Sequence, residues 1–124
     1  MDNIYGVELI LDLHNCDTKT FNRPALREYF NSLCKLIDMK PEALYFWDDM
    51  GIPKYQRQTN PKTRGTSAVQ FILTSNITVH TLDLLEAAYI NIFSCKEFST
   101  EGVEKYTVDF FRPKSYTVKV VERT

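Results

Sequence analysis

The sequence predicts an α+β fold: a two-layer α/β sandwich with an antiparallel sheet and two helices packed on one face. Three observations lead there. Apolar residues alternate in six short segments, as strands with one buried face require. Two other segments repeat their apolar residues at helical spacing, each opened by a capping residue and closed before a proline. The elements run β-α-β-β-β-β-α-β, with strands mostly following strands, which favours antiparallel pairing over parallel crossovers.

Each element has its own signal. From Tyr5 to Cys16, Val7, Leu9 and Leu11 alternate with Glu8, Ile10 and Asp12, a mostly buried strand. Asn22 before Arg23-Pro24 is a helix start, because proline fits a first turn. Leu26, Tyr29, Phe30, Leu33, Cys34 and Ile37 then form one apolar stripe, and the helix should end before Pro41. Ala43 to Trp47 is a short strand. Asp48 to Arg64 is polar, contains Gly51, Pro53 and Pro61, and reads as a long loop. Thr66 to Leu73 returns to strand, and Ile77 to Thr81 continues it or pairs with it. Ala88 to Cys95 is a further strand. Ser99 or Thr100 caps a second helix carrying Val103, Tyr106, Thr107 and Phe110, closed by Pro113. Ser115 to Arg123 alternates into the last strand.

The 124 residues are the size of one domain and suffice for a core. Hydrophobic residues make up 44% and charged residues 25%, an ordinary globular balance. A net charge of −1 gives no reason to expect nucleic acid or an acidic membrane surface as a partner. The opening MDNIYGVELILDLHNC has no basic n-region and no long apolar run, so it reads as neither a signal peptide nor a membrane span. Three cysteines without a CxxC argue against a disulfide framework and for a reducing cytoplasm.

Several chemistries can be weighed from residue types alone. His14 and Cys16 form an H-x-C pair without a second pair, so no metal site is expected. No G-x-S-x-G accompanies a strand-to-helix turn, which disfavours a serine hydrolase. Between Met50 and Leu82 stand Lys54, Arg57, Lys62 and Arg64 and no acidic residue. Met50–Arg64 is therefore a basic loop, read as solvated rather than as an anion site. His80 alone is a structural histidine, and Cys95 alone is a small hydrophobe at a strand end. Taken together, Ser67, Ser75, His80 and Cys95 lie on three neighbouring sheet segments, and that grouping changes the odds.

The stretch GTSAVQFILTSNITVHT followed by AYINIFSC resembles the short prokaryotic S-adenosylmethionine decarboxylases. Gly65-Thr66-Ser67, Ser75, His80-Thr81 and Phe93-Ser94-Cys95 fall in register with that family's G-V-S strand, its key serine, its His-Thr and its F-T-C strand end. GVELILDLHNCD is similar to the family's opening strand. The resemblance implies a self-processing enzyme of polyamine synthesis. In it, Ser75 would attack the Thr74 carbonyl, an N-to-O acyl shift would give an ester, and β-elimination would leave chains 1–74 and 75–124. The serine would become a covalent pyruvoyl cofactor that forms a Schiff base with the substrate amine and serves as an electron sink. His80 would take the proton during elimination and Ser67 would help hold the oxyester or oxyanion. Cys95 would return a proton to the substrate after decarboxylation, a task suited to a thiol with an unperturbed pKa of ~8.5. The family also implies a homodimer.

Three positions depart from the family's pattern. Thr74 stands where most members have glutamate, and Asn76 where they have histidine. Leu84 stands where a glutamate after the His-Thr is thought to hold the ribose hydroxyls of S-adenosylmethionine, and losing that acceptor should weaken that substrate in particular. S-adenosylmethionine remains the default substrate, with arginine or ornithine as alternatives and an uncleaved binding or regulatory subunit as a third reading. One geometric demand follows from alternation. Ser75 and His80 are five residues apart and would face opposite sides of a straight strand, so their cooperation requires a turn or bulge near Ser75-Asn76.

Overall fold

A computed structural model describes residues 3–124. Its ten elements include six strands and two α-helices: β1 (Gly6–His14), α1 (Arg23–Leu36), β2 (Pro41–Trp47), β3 (Gly65–Ile72), β4 (Ser75–Leu82), β5 (Ala87–Ser94), α2 (Thr100–Phe111) and β6 (Ser115–Arg123), with short 3-10 turns at Thr18–Thr20 and Lys54–Gln56. The strands form one sheet in the order β2-β3-β4-β5-β1-β6, and every neighbouring pair is antiparallel. This is the α+β sandwich that the sequence predicts. What alternation could not supply is the seat of β1, inserted between β5 and β6.

Both helices begin where the sequence marks them. The Asn22 side chain accepts from the Ala25 N–H, and Ser99 accepts from Gly102 N–H, each satisfying a donor that the first helical turn leaves free. α1 ends at Leu36, followed by Asp38 in the left-handed region, well before Pro41. α2 ends at Phe111, followed by Arg112, also left-handed, before Pro113.

The helices pack on one face of the sheet. Leu9, Leu11 and Leu13 of β1, Ile77 and Val79 of β4 and Ile90 and Ile92 of β5 point toward Leu26, Tyr29, Phe30 and Leu33 of α1 and Val103 and Phe111 of α2. Tyr29 sits at the centre, its ring 5.0–5.7 Å from those of Phe30, Tyr106, Phe110 and Phe111. Its hydroxyl meets Thr107 Oγ1 at 2.8 Å, so this buried polar group is satisfied. Gln70, also buried, donates to the carbonyls of Glu42 and Phe71 and ties down β2 where its register shifts.

Among the described residues, the opposite face of the sheet carries no helix. It presents Tyr45 and Trp47 of β2, Ser67 and Phe71 of β3, Thr78 and His80 of β4, Tyr89, Asn91 and Phe93 of β5 and Glu8 of β1. Trp47 is 82% exposed and Tyr45 63%. Glu8 is held there by Asn91 at 3.1 Å and by Arg123 at 2.7 Å. No helix of the described residues is long and apolar enough to cross a membrane.

Candidate active site

β3 and β4 are joined by a two-residue turn, Leu73-Thr74, with Ile72 paired directly to Ser75. Turns this tight usually place a residue at positive φ, a position where glycine or asparagine is favoured. Here Thr74 takes it, at φ 52°. A β-branched residue in that region carries a conformational cost of about 1–3 kcal/mol. The peptide after that residue is the one linking Thr74 to Ser75.

Cys95 follows β5 and lies beside the turn. Its Sγ is 3.1 Å from Thr74 Oγ1, whose single proton goes either to that sulfur or to the Leu73 carbonyl 2.8 Å away; when it goes to the carbonyl, the Cys95 thiol is the donor. Hydrogen bonding from Thr74, with lesser contributions from Tyr5 and Ser75, holds the Cys95 thiol below its ordinary value of 9.0. The other two cysteines behave oppositely. Cys16 and Cys34 are buried, and burial pushes each up to about 11. Of the three thiols, Cys95 alone is exposed, and its neighbours favour the thiolate.

Ser75 faces the core, 6% exposed, and its Oγ donates to Ser94 Oγ at 3.3 Å. Gly6 of β1 sits against this corner, where a Cβ would collide with the Ser94 carbonyl; only glycine lets β1 approach β5 so closely.

Ser67 and His80 form a second group. They are direct cross-strand partners on the uncovered face, with Ser67 Oγ 2.7 Å from His80 Nδ1. Gly65, two residues earlier, lets β3 press against β4, since a Cβ there would run into the Thr81 carbonyl. Thr81 Oγ1 donates to the Thr66 carbonyl at 3.1 Å and strengthens the same junction.

The four residues thus fall into two clusters rather than one. Ser75 and Cys95, with Thr74 beside them, share one end of the sheet, and Ser67 with His80 lies toward the other. The expected turn exists, but it precedes Ser75, and the eight residues Ser75–Leu82 pair continuously with β3 without a bulge. Period-2 alternation therefore holds, and Ser75 and His80 face opposite sides. Five residues of strand rise separate them by about 16 Å.

Two contributors escaped the sequence reading. Ser94 is 1% exposed and in contact with Ser75; counting by two from Ile90 and Ile92 would have put it on the buried face. Tyr5, near Cys95, stacks on Phe93 at 6.3 Å, and nothing in its local sequence marks it.

Elsewhere, the loop from Asp48 to Arg64 is anchored by Arg23, whose Nη2 and Nε bind the two Asp48 carboxylate oxygens at 2.6 and 2.8 Å. Leu84 stands exposed in the β4–β5 turn. Among the described residues, no group of three His, Cys, Asp or Glu side chains is placed to hold a metal ion.

Comparison with known proteins gives the fold a lineage. No curated protein sequence matches the chain. The crystal structure of the adenosylmethionine decarboxylase from Aquifex aeolicus VF5 is similar in fold, with a TM-score of 0.78 over 98% of this chain and 92% of that one, at 18% identity. The family model described as S-adenosylmethionine decarboxylase matches residues 7–124. The chain belongs to the S-adenosylmethionine decarboxylase family.

Proposed function

We propose that this chain is a pyruvoyl-dependent decarboxylase of polyamine biosynthesis, acting on S-adenosylmethionine and formed when one domain of residues 1–124 cleaves itself between Thr74 and Ser75. The observation that carries the reading is the junction itself: a serine opening a strand directly after a left-handed threonine, with an exposed thiol against the turn. Ser75 Oγ attacks the Thr74 carbonyl carbon, the C–N bond gives way to a C–O ester, and the α-amino group is freed. Loss of the Ser75 α-proton then expels the Thr74 carboxylate. Tautomerisation and hydrolysis release ammonia and leave a pyruvoyl group at the start of the 75–124 chain.

The residues fit that group: Ser75 supplies its carbons at a turn, and Cys95 stands beside it. The pyruvoyl group supplies the electron sink for loss of carbon dioxide from an amino-acid substrate. Cys95 returns a proton to the substrate carbon. His80 removes the proton during elimination, with Ser67 fixing its ring and offering a hydroxyl to the oxyester.

Because the two clusters cannot meet within one chain, the working unit is a homodimer. Two copies stacked on their uncovered sheet faces, related by a two-fold axis that reverses strand direction, set the Ser75 end of one over the His80 end of the other; because the Ser75 hydroxyl faces the core, the partner's His80 approaches Ser75 from its backbone side, where the α-proton is lost. Exposed Tyr45, Trp47 and Phe71 on that face fit such a contact. The assembly is assigned to the cytoplasm, with neither nucleic acid nor membrane as a partner.

One observation favours a second substrate. With Leu84 in place of a carboxylate, a smaller amino acid such as arginine or ornithine gains ground. An uncleaved binding or regulatory subunit is the weaker reading, because such a role has no need of Ser75, His80 and Cys95 together. The test is carbon dioxide release from carboxyl-labelled S-adenosylmethionine, arginine and ornithine. Release from the first, abolished by Ser75→Ala, supports the proposal. Release from arginine or ornithine alone selects the second substrate, and equal release by Ser75→Ala contradicts both.

A further inference from the structure

We infer that Ser94 is a positioning residue for self-cleavage, orienting the Ser75 hydroxyl for attack on the Thr74 carbonyl. The inference rests on the self-processing reading and deepens it. Its argument is proton bookkeeping around one buried oxygen. Ser94 Oγ is 2.9 Å from the Lys96 carbonyl, 3.0 Å from the Lys96 N–H, 3.3 Å from Ser75 Oγ and 3.6 Å from Met39 Sδ. A carbonyl can only accept, and it is a far better acceptor than a thioether, so the single Ser94 proton goes to Lys96 O. The Lys96 N–H can only donate, which takes one lone pair of Ser94 Oγ. The remaining lone pair faces Ser75.

While Cys95 is a thiol, the direction of the Ser75–Ser94 bond is therefore fixed: Ser75 donates and Ser94 accepts, whereas a Cys95 thiolate competes for the same Ser75 proton. A hydroxyl held as donor has its own lone pairs free and its oxygen made more electron-rich, the state required of a nucleophile. At 3.3 Å the bond is longer than the O–H···O optimum, so it aims the hydroxyl without clamping it. Ser94 is rigid enough to aim, being 1% exposed and tied at both remaining valences to the backbone of the next turn. It is no general base, since its own proton has only a carbonyl to go to.

The experiment follows the uncut fraction with time, by intact mass, in freshly synthesised wild type, Ser94→Ala and Ser94→Thr. Ser94→Ala should slow cleavage about tenfold or more, the loss expected from one orienting hydrogen bond. Ser94→Thr, which keeps the hydroxyl, should restore most of the rate. Thermal melting separates this from loss of fold, and Ser94→Cys, near in volume but a weak acceptor, should show the same slowing if alanine prevents folding. Hydroxylamine, which cleaves oxyesters and spares amides, should leave slow Ser94→Ala uncut, because its block precedes the ester. Ser94→Ala cleaving within twofold of wild type overturns the inference, as does prompt hydroxylamine cleavage of that variant or a threonine variant as slow as alanine. A wild-type chain that never cleaves sinks the self-processing reading, and this inference with it.

Discussion

The separation of Ser75 from His80 can be tested by complementation between two inactive variants. In β4 the residues are five positions apart on an unbroken strand, about 16 Å by strand rise, and on opposite faces. A proton transfer needs its partners within hydrogen-bond reach, roughly 3 Å, so the intrachain gap is several times too large. Ser75→Ala alone should never cleave. His80→Ala alone should cleave more slowly by about 10²–10⁴-fold, the usual weight of one acid–base group. Co-expressing the two with different affinity tags and purifying through both yields only mixed assemblies. In these, the His80→Ala chain brings an intact Ser75 to the intact His80 of its partner, and should cleave at close to the wild-type rate. The Ser75→Ala chain should stay whole. Cleavage is read for each chain separately by mass. If wild type cleaves and both chains of the mixed assembly stay uncut, or if no mixed assembly can be recovered, the shared-site argument is refuted.

Three further outcomes are expected. Tyr29→Phe strands the buried Thr107 hydroxyl and should cost about 1 kcal/mol, the low end for such losses because a helical threonine can turn to its own backbone; adding Thr107→Val should recover part of the loss in thermal melting, and strictly additive losses would contradict the coupling. Cys16 and Cys34, pushed by burial up to about 11, keep protons that the unfolded chain releases near 9.0, so their contribution is complete below pH 9 and lost as pH rises toward 11. The slope is at most about 1.4 kcal/mol per pH unit for each thiol, and it should flatten in Cys16→Ala/Cys34→Ala denaturation curves; an unchanged slope would refute the assignment. Cys95→Ala should self-cleave yet decarboxylate poorly; full turnover by Cys95→Ala would remove it from the donor role.

Much of the fold was legible in the residues because local chemistry decides it. Asn22 and Ser99 cap their helices, and alternation in Leu9, Leu11 and Leu13 fixes which side of β1 meets the core. Strand order is another matter. Nothing local to Gly6–His14 says that it will lie between β5 and β6, because that depends on which edges remain free once the consecutive strands have paired. The site was half legible for the same reason. Resemblance to a family motif picked out Ser67, Ser75, His80 and Cys95, and alternation warned that Ser75 and His80 diverge. The left-handed Thr74 was hidden, since a threonine in a tight turn gives no sign of positive φ. Ser94 was hidden behind Cys95, although the same alternation places it in the core.

The central claim is that the bond between Thr74 and Ser75 breaks by the chain's own chemistry, and intact-mass spectrometry of the purified protein tests it most directly. The account predicts two fragments, residues 1–74 with an ordinary carboxyl end and residues 75–124 with a pyruvoyl group and no free α-amine, and a single intact chain for Ser75→Ala. A wild-type protein that remains one uncut chain of 124 residues under all conditions would contradict it.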